Sequence, residues 1–421
     1  MTSGALPRSS SYFPASRRGE EQGAFCSPDA TALRAVASGT ALRVATLVVA
    51  QTGHVVPTWP LSAIDFSQLV EQRGIGRQAV MLVALIRNQW HQTIRNYCLR
   101  MGASREAGEK LISHVDRLLD QGLPIILDLN HFARLLGIPK HKMAAMIYRA
   151  DRFYKHFSIK KRSGGAREIS APTIILKQCQ KWILRNILEK PPVPGCVQGF
   201  VSKRSILTNA ALHVGSQVVV NVDVKDFFPS IRWGQVFNLF RHLGYAKKVA
   251  FYLTKLTTLN GVLPQGAPTS PMISNHVAGH LDARLMGLTR REGCAYSRYA
   301  DDLTFSGRSD VVSLLPLVDK ILKEEGFALN KGKTRIMRSN RQQEVTGLVV
   351  NNKPAVKRSH RRWLRQQVYY FGRFGLDDCR ARTRTIRKNA RDFFYGHALF
   401  LRMVDRAKGN AVLEDLDSID W

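Results

Sequence analysis

The strongest constraint on this chain of 421 residues is the stretch CAYSRYADDLTFSG, running from Cys294 to Gly307. Apolar and polar residues alternate before Tyr299-Ala300-Asp301-Asp302 and again after it, leaving almost nothing for a loop. A period of two on both sides of a short polar break predicts a tight β-hairpin whose turn presents two carboxylates side by side. Like charges so close repel, and they raise at least one pKa unless something positive sits on them. A divalent cation meets that need. A polar turn that merely contains two aspartates is the plainer alternative, so a third acid decides.

Asp223 is that acid. It lies near the end of a β-branched run, Val218-Val219-Val220 followed by Val222, inside QVVVNVDVKDFFPSI. Such a run predicts a buried strand. An ionised carboxylate at its tip is costly unless paired or metal-bound. Asp223, Asp301 and Asp302 together form an oxygen-only set suited to a hard cation such as Mg²⁺. Two such ions about 3.5–4 Å apart activate an attacking hydroxyl and stabilise the leaving oxygen of a phosphoryl transfer.

Composition narrows the partner. The formal charge is +31, which points to a polyanion, nucleic acid first, rather than to an ordinary small-molecule substrate. A hydrophobic fraction of 44% fits a globular protein. The six cysteines form no CxxC pair, which argues against a zinc knuckle or a disulfide framework and predicts free thiols in a reducing cytosol. The N-terminus has no signal-peptide core, and Ala45–Ala50 is too short to span a bilayer. The expectation is a cytoplasmic protein with no membrane partner.

In order along the chain stand FSIKKRSGGAREISAP, QGFVSKRSILTNAALHVG, NVDVKDFFPSI, LPQGAPTSPMISN, YADD, GFALNKGKTRI and EVTGLVV. This set resembles a reverse transcriptase from about Phe157 to Val356. Two smaller marks, Asn209-Ala210-Ala211-Leu212-His213 and Val345-Thr346-Gly347, narrow the resemblance to the retron reverse transcriptases of bacteria. It implies an α+β right-hand polymerase with fingers, ferredoxin-like palm and helical thumb, behind a mainly helical N-terminal extension. The expected divisions are 1–38 as a flexible basic extension and 39–150 as a helical region, then 151–356 as fingers and palm and 357–421 as a basic helical thumb. Strand, helices, hairpin, helix and strand in the palm give β-α-β-β-α-β. Asp128–Ala150 reads as two short helices joined at Gly137-Ile138-Pro139, a hairpin packed on the fingers in preference to a duplex-reading helix-turn-helix.

The resemblance also distributes roles. Asp223, Asp301 and Asp302 are the catalytic residues, and Asp223, Val224, Asp301 and Asp302 hold two Mg²⁺ ions. Lys161, Arg167, Phe228, Gln265, Gly266 and Lys333 bind the dNTP. Gly164-Gly165 marks the tip of a basic hairpin whose lysines and arginines pair with phosphate oxygens. Phe228 would lie under the sugar and exclude a 2′-OH; a core phenylalanine beside Phe227 is its other reading. Lys331 or Lys333 is a candidate general acid for the departing pyrophosphate, or simply a solvated lysine. Arg204, Asn209, His213, Val345, Thr346, Gly347, Arg361, Arg362 and Arg365 are the expected RNA-binding residues. Glu344–Val356 should be a hairpin turning at Asn351-Asn352 that grips the primer end.

The function so implied is RNA-directed synthesis of DNA on a cognate structured non-coding RNA, the msr–msd transcript. Priming from an internal 2′-OH would give RNA-linked single-stranded DNA, msDNA. Membership would bring an anti-phage role with an effector protein. A group II intron-like reverse transcriptase and a non-catalytic RNA-binding scaffold are the competing readings.

Overall fold

The computed structural model describes residues 76–160, 164–382, 389–419 and 421. The expected extension at 1–38, the first part of the helical region and Lys161 lie outside the described residues. The described chain opens with helices α1 (Gly76–Arg100), α2 (Arg105–Asp120), α3 (Leu129–Leu135) and α4 (Lys140–Tyr148). Ser104 caps α2 by accepting from the Ala107 amide, and Asp128 caps α3 by accepting from the His131 amide. Phe132, Met143, Met146 and Ile147 of α3 and α4 are buried in the main core, so this pair is a packed helical hairpin. Among the described residues no helix is long and apolar enough to cross a membrane.

Strands β1 (Tyr154–Lys160) and β2 (Ala166–Pro172) pair antiparallel as a separate ribbon. Gly164 and Gly165 at its tip have φ of 86° and 79°, values a side chain would resist. Helices α5 (Ile174–Ile183) and α6 (Ile206–Ala211) follow; Ser205 and Thr208 form a capping box at the start of α6.

The palm begins with β3 (Val218–Lys225). Helices α7 (Phe227–Ser230), α8 (Trp233–His242), α9 (Lys247–Thr257), α10 (Ser270–Val277) and α11 (Gly279–Arg291) separate it from the hairpin. That hairpin is β4 (Ala295–Tyr299) and β5 (Asp302–Gly307), followed by α12 (Leu315–Glu324), β6 (Ala328–Leu329) and β7 (Arg335–Arg338). The sheet order is β4-β5-β3-β6, with β7 also paired to β3. This is the expected β-α-β-β-α-β arrangement.

Alternation on β3 feeds two cores. Val218, Val220, Val222 and Val224 join Tyr296, Leu303 and Phe305 against the helices. Val219 points the other way and packs with Val345, Leu348 and Phe371. The second core belongs to the C-terminal part: β8 (Glu344–Val345), β9 (Leu348–Val349), α13 (Arg358–Arg382), α14 (Ala390–Val404) and α15 (Arg406–Asp417). Helix α13 bends at Gly375, where φ is 70°. The acidic tail packs here too: Leu416 and Ile419 are buried, and Trp421 Nε1 donates to the Leu416 carbonyl.

Across Asn351-Asn352 the chain reverses into an antiparallel bridge between Val349 and Ala355, as expected, and just before it the β8–β9 hairpin makes a further turn at Thr346-Gly347. Both turn residues have positive φ, 47° and 87°, as a two-residue type I′ turn requires. At the Asn351-Asn352 reversal the Asn351 side chain accepts from the Gln343 amide and donates to the Arg341 carbonyl.

One buried polar cluster joins the halves. His213 Nδ1 lies 2.8 Å from Ser306 Oγ, and its Nε2 lies 2.7 Å from Ser297 Oγ. Ser297 Oγ donates to Asn209 Oδ1 at 2.6 Å, and Asn209 Nδ2 reaches Thr346 Oγ1 at 3.4 Å. Burial pushes the His213 imidazole down from 6.5 to about 4. The unfolded chain therefore takes up the proton first, and folding stability drops as pH falls through the interval between those values. The loss attributable to His213 from pH 6.5 to about 4 should approach roughly 3 kcal/mol. Denaturant titrations of wild type and His213→Gln across this range check it; identical pH slopes would remove His213 as a source of acid lability.

Candidate active site

Register brings the acids together. Asp223 on β3 is the cross-strand partner of Asp302 on β5, and Tyr299 on β4 pairs with Asp302 from the other side. Ala300 and Asp301 are then the two central residues of the hairpin turn. Ala300 has φ of +59°, a conformation that costs a non-glycine residue roughly 1 kcal/mol or more. The Val224 amide donates to the Asp301 carbonyl at 2.9 Å, locking the turn to the end of β3.

Surrounding protein raises the Asp301 carboxyl, and the Asp223 charge adds to the rise while Lys333 and Arg167 oppose it. Desolvation also pushes Asp302 up, to about 6, with the charges of Asp301 and Asp223 acting the same way. By surface area Asp302 still meets solvent at the open end of β5, so water screens part of that cost. Asp223 differs: Asn330 Nδ2 donates to its Oδ1 at 3.0 Å and Lys333 Nζ to its Oδ2 at 2.8 Å. That bond raises the Lys333 ammonium above its ordinary value.

Among the described residues no three His, Cys, Asp or Glu side chains stand in a metal-holding arrangement. The three acids are neighbours, but both Asp223 oxygens are engaged by Asn330 and Lys333. Val224 contributes its amide to the turn.

A cavity of about 290 Å³ opens beside the acids, lined by Asn221, Asp223, Asp302, Lys333, Glu344 and Thr346 among others. Asn221 Nδ2 donates to the Glu344 carbonyl at 2.8 Å, and Glu344 pairs with Lys357 at 2.7 Å. The Thr346-Gly347 turn therefore hangs over the acids from a palm strand and the start of α13.

The other expected residues fall into three groups. Arg167 is exposed on β2, within electrostatic reach of Asp301. The Gln265 carbonyl accepts from the Ser170 amide at 2.7 Å. Gly266 (φ +120°) lies so close that a Cβ would sit 2.9 Å from the Ser170 carbonyl oxygen. The finger ribbon and the Pro264-Gln265-Gly266 loop are thus in backbone contact. Phe228 is half-buried against Phe227, 5.7 Å between ring centres.

Several residues expected to touch RNA are placed otherwise. Asn209, His213 and Val345 are fully buried, and the first two fasten α6 to the β4–β5 hairpin and to Thr346. The Arg204 guanidinium donates to the main-chain carbonyls of Pro194, Val197 and Val193 and so braces its own loop. The buried Asn209 and His213 have no free donor for RNA, and three of the five Arg204 N–H groups are already engaged. Thr346 is half-buried and Gly347 exposed. On α13, Arg362 and Arg365 are exposed while Arg361 is half-buried with its Nε lacking a partner among the described residues.

The residues supporting the turn escaped the sequence reading. Gly199, Asp282, Asn275 and Arg298 surround it, and Asn330 holds Asp223. One signal was available: the alternation that points Tyr296 inward points Arg298 inward as well, and an inward arginine needs an acid.

A ferredoxin-like palm with aspartates meeting at the ends of adjacent central strands suits metal-assisted phosphoryl transfer, and similarity to known proteins gives the class: a reverse transcriptase, an RNA-directed DNA polymerase. A family model described as reverse transcriptase (RNA-dependent DNA polymerase) matches residues 159–358. The retron Mx162 reverse transcriptase of Myxococcus xanthus is 36% identical over 347 residues, covering 72% of this chain and 70% of that protein. The retron Ec86 reverse transcriptase of Escherichia coli is 36% identical over 259 residues, covering 60% of this chain and 81% of that protein. The retron Mx65 reverse transcriptase of Myxococcus xanthus is 40% identical over 278 residues, covering 60% and 65%. The chain belongs to the retron reverse transcriptases. Its family generally uses divalent metal ions.

A methyl group at position 266 would strain both the backbone and the contact with Ser170, about 1–3 kcal/mol if neither side gives. Gly266→Ala should raise the dNTP KM roughly tenfold or more with little change in Tm. Steady-state kinetics alongside a thermal melt tests this; an unchanged KM would separate the ribbon–loop contact from nucleotide binding.

Proposed function

We propose that this enzyme copies part of a cognate structured non-coding RNA into single-stranded DNA that stays linked to the RNA, starting from an internal 2′-OH. The observation that carries the catalytic part is the pairing of Asp223 with Asp302 beside Asp301, at the mouth of the cavity below the Thr346 turn. The donor set is all oxygen, and its crowded carboxylates resist ionising together, which fits a hard divalent cation better than a soft one. Asp223, Asp301 and Asp302, with the Val224 main chain, would hold Mg²⁺. When bound, two such ions supply activation of the attacking hydroxyl and neutralisation of charge on the leaving group.

The chain's own residues do the positioning. Lys333, held at Asp223, would meet the triphosphate and give a proton to departing pyrophosphate. Arg167, with Lys161 near it in sequence, brings positive charge from the finger ribbon to the phosphates, and Gln265 with Gly266 would face the nucleotide beside that ribbon, against which they pack at Ser170. Phe228 stands five residues past Asp223, where its half-exposed ring crowds a sugar 2′-OH. Arg362, Arg365, Tyr369 and Arg373 share the exposed side of α13, while Leu364, Val368 and Phe371 are buried on the other. A basic and aromatic stripe of this kind suits the backbone of an RNA–DNA duplex. Residues 151–356 then act as fingers and palm and 357–421 as thumb, with 39–150 as a helical annex. An anti-phage role with an effector protein accompanies this reading and rests on membership alone.

Three experiments test it. The Asp301→Ala, Asp302→Ala double variant should make no DNA on a primed RNA template while still binding RNA; DNA synthesis at the wild-type rate would leave the scaffold reading standing. Nucleic acid recovered with the protein from its host should be single-stranded DNA joined to RNA, and recovery of RNA with no DNA under any condition would contradict the proposal. Phe228→Val should admit ribonucleotides, read as the ratio of kcat/KM for dNTP over NTP. If that ratio holds, Phe228 is a core residue.

A further inference from the structure

Beneath the Ala300 turn lies a buried polar group that the chemistry does not use. Arg298 is fully buried, on the face of β4 turned away from the acids. Its Nε and Nη2 donate to the two carboxylate oxygens of Asp282 on α11, at 2.8 and 2.6 Å, and Asp282 is equally buried. Tyr296 Oη donates to the same carboxylate at 2.8 Å. Arg298 Nη1 reaches Asn275 Oδ1 on α10 at 3.0 Å and the Ala300 carbonyl at 3.4 Å. Asn275 Nδ2 in turn donates to the Gly199 carbonyl at 2.9 Å. Gly199 has no room for a side chain, since a Cβ there would sit 2.7 Å from the Ala300 amide nitrogen. The strand preceding the turn is gripped as well: the Gln198 amide donates to the Arg298 carbonyl, and the Arg298 amide to the Cys196 carbonyl.

Contacts from the 196–199 segment, α10, α11 and β4 thus converge on the turn that carries Asp301 and Asp302. A buried ion pair is poor value as a stabiliser, because desolvation consumes most of its attraction and packed apolar groups often do as well or better. A non-glycine residue at positive φ, by contrast, persists only where its surroundings over-determine it. Ala300 is such a residue, and the Arg298 network supplies that determination. We propose that Arg298, held by Asp282 and Asn275, is a positioning residue that fixes the Ala300 turn and through it the Asp301 and Asp302 carboxylates, with Gly199 as the backbone stop on the other side. This rests on the reading of those aspartates as the catalytic acids.

The test uses the full chain on a primed RNA template. An Asp282→Leu, Arg298→Met double variant replaces the pair with apolar groups of similar size. Its thermal midpoint should fall by only a few degrees, because the ion pair itself is replaced at little cost while Tyr296 Oη and Asn275 Oδ1 lose their partners, whereas kcat falls on the order of 100-fold. The dNTP KM should change little, and the Mg²⁺ concentration for half-maximal rate should rise. Gly199→Ala leaves the ion pair intact and pushes directly on the Ala300 nitrogen, so it should reproduce the loss of kcat and the Mg²⁺ shift. A folded double variant with wild-type kcat overturns the inference. Should that variant fail to fold, Gly199→Ala decides, and wild-type kcat there overturns it too. Unfolding of both variants also overturns it, because the network would then be a stability element. The Asp301→Ala, Asp302→Ala variant runs in parallel. If it is active, the catalytic reading falls; if it is inactive while the Arg298 and Gly199 variants keep wild-type kcat, only the positioning role falls.

Discussion

Three like charges held at the end of a hydrophobic sheet are the constraint from which the rest of this structure follows. Asp223 and Asp302 face each other across β3 and β5, with Asp301 one residue away. Their mutual repulsion and partial desolvation are visible in the upward shifts of Asp301 and Asp302. Such a cluster persists only if strong apolar packing fixes the strands and if positive charge is near. The valines of β3 supply the first, and Lys333, with Arg167 and Arg335 farther off, supplies the second.

The same strand explains how the two cores are joined. Its even-numbered valines pack on the palm helices, while Val219 packs toward α13. On that second side Asn221, Asp223, Asp302 and Thr304 line the cavity, so the acids face the thumb rather than the helices. The His213 cluster and the Glu344–Lys357 pair hold the Thr346 turn over that cavity from two directions. Asn209, His213 and Val345 thereby shape the rim of that cavity without offering a free side-chain hydrogen-bonding group to it. Lys333 on Asp223 offsets part of the negative charge gathered by the three acids.

Much of this was legible in the chain. Alternation around Tyr299–Asp302 specified the hairpin, and the valine run specified the central strand, because both are local patterns with a period of two. The glycines at 164 and 165 marked a ribbon tip for the same local reason. The turn at Thr346-Gly347, unread beside the expected one at Asn351-Asn352, shows the limit. Asn-Asn is the better turn sequence on propensity, yet Thr346 takes the left-handed position because Asn209 and the Ile206 carbonyl hold its hydroxyl. Tertiary hydrogen bonds overrode local preference.

The sequence by itself determined the order of elements, the three acids and the family, since those depend on spacing and residue type. Only the tertiary structure decided which polar residues are tools and which are supports. Arg204, Asn209 and His213 read as RNA contacts until their partners were seen, and Arg298 and Asp282 went unread until they met under the turn. Spacing can place a side chain on a face, but whether that face meets solvent or another segment depends on contacts between residues as far apart as 209 and 346, and no local pattern records those.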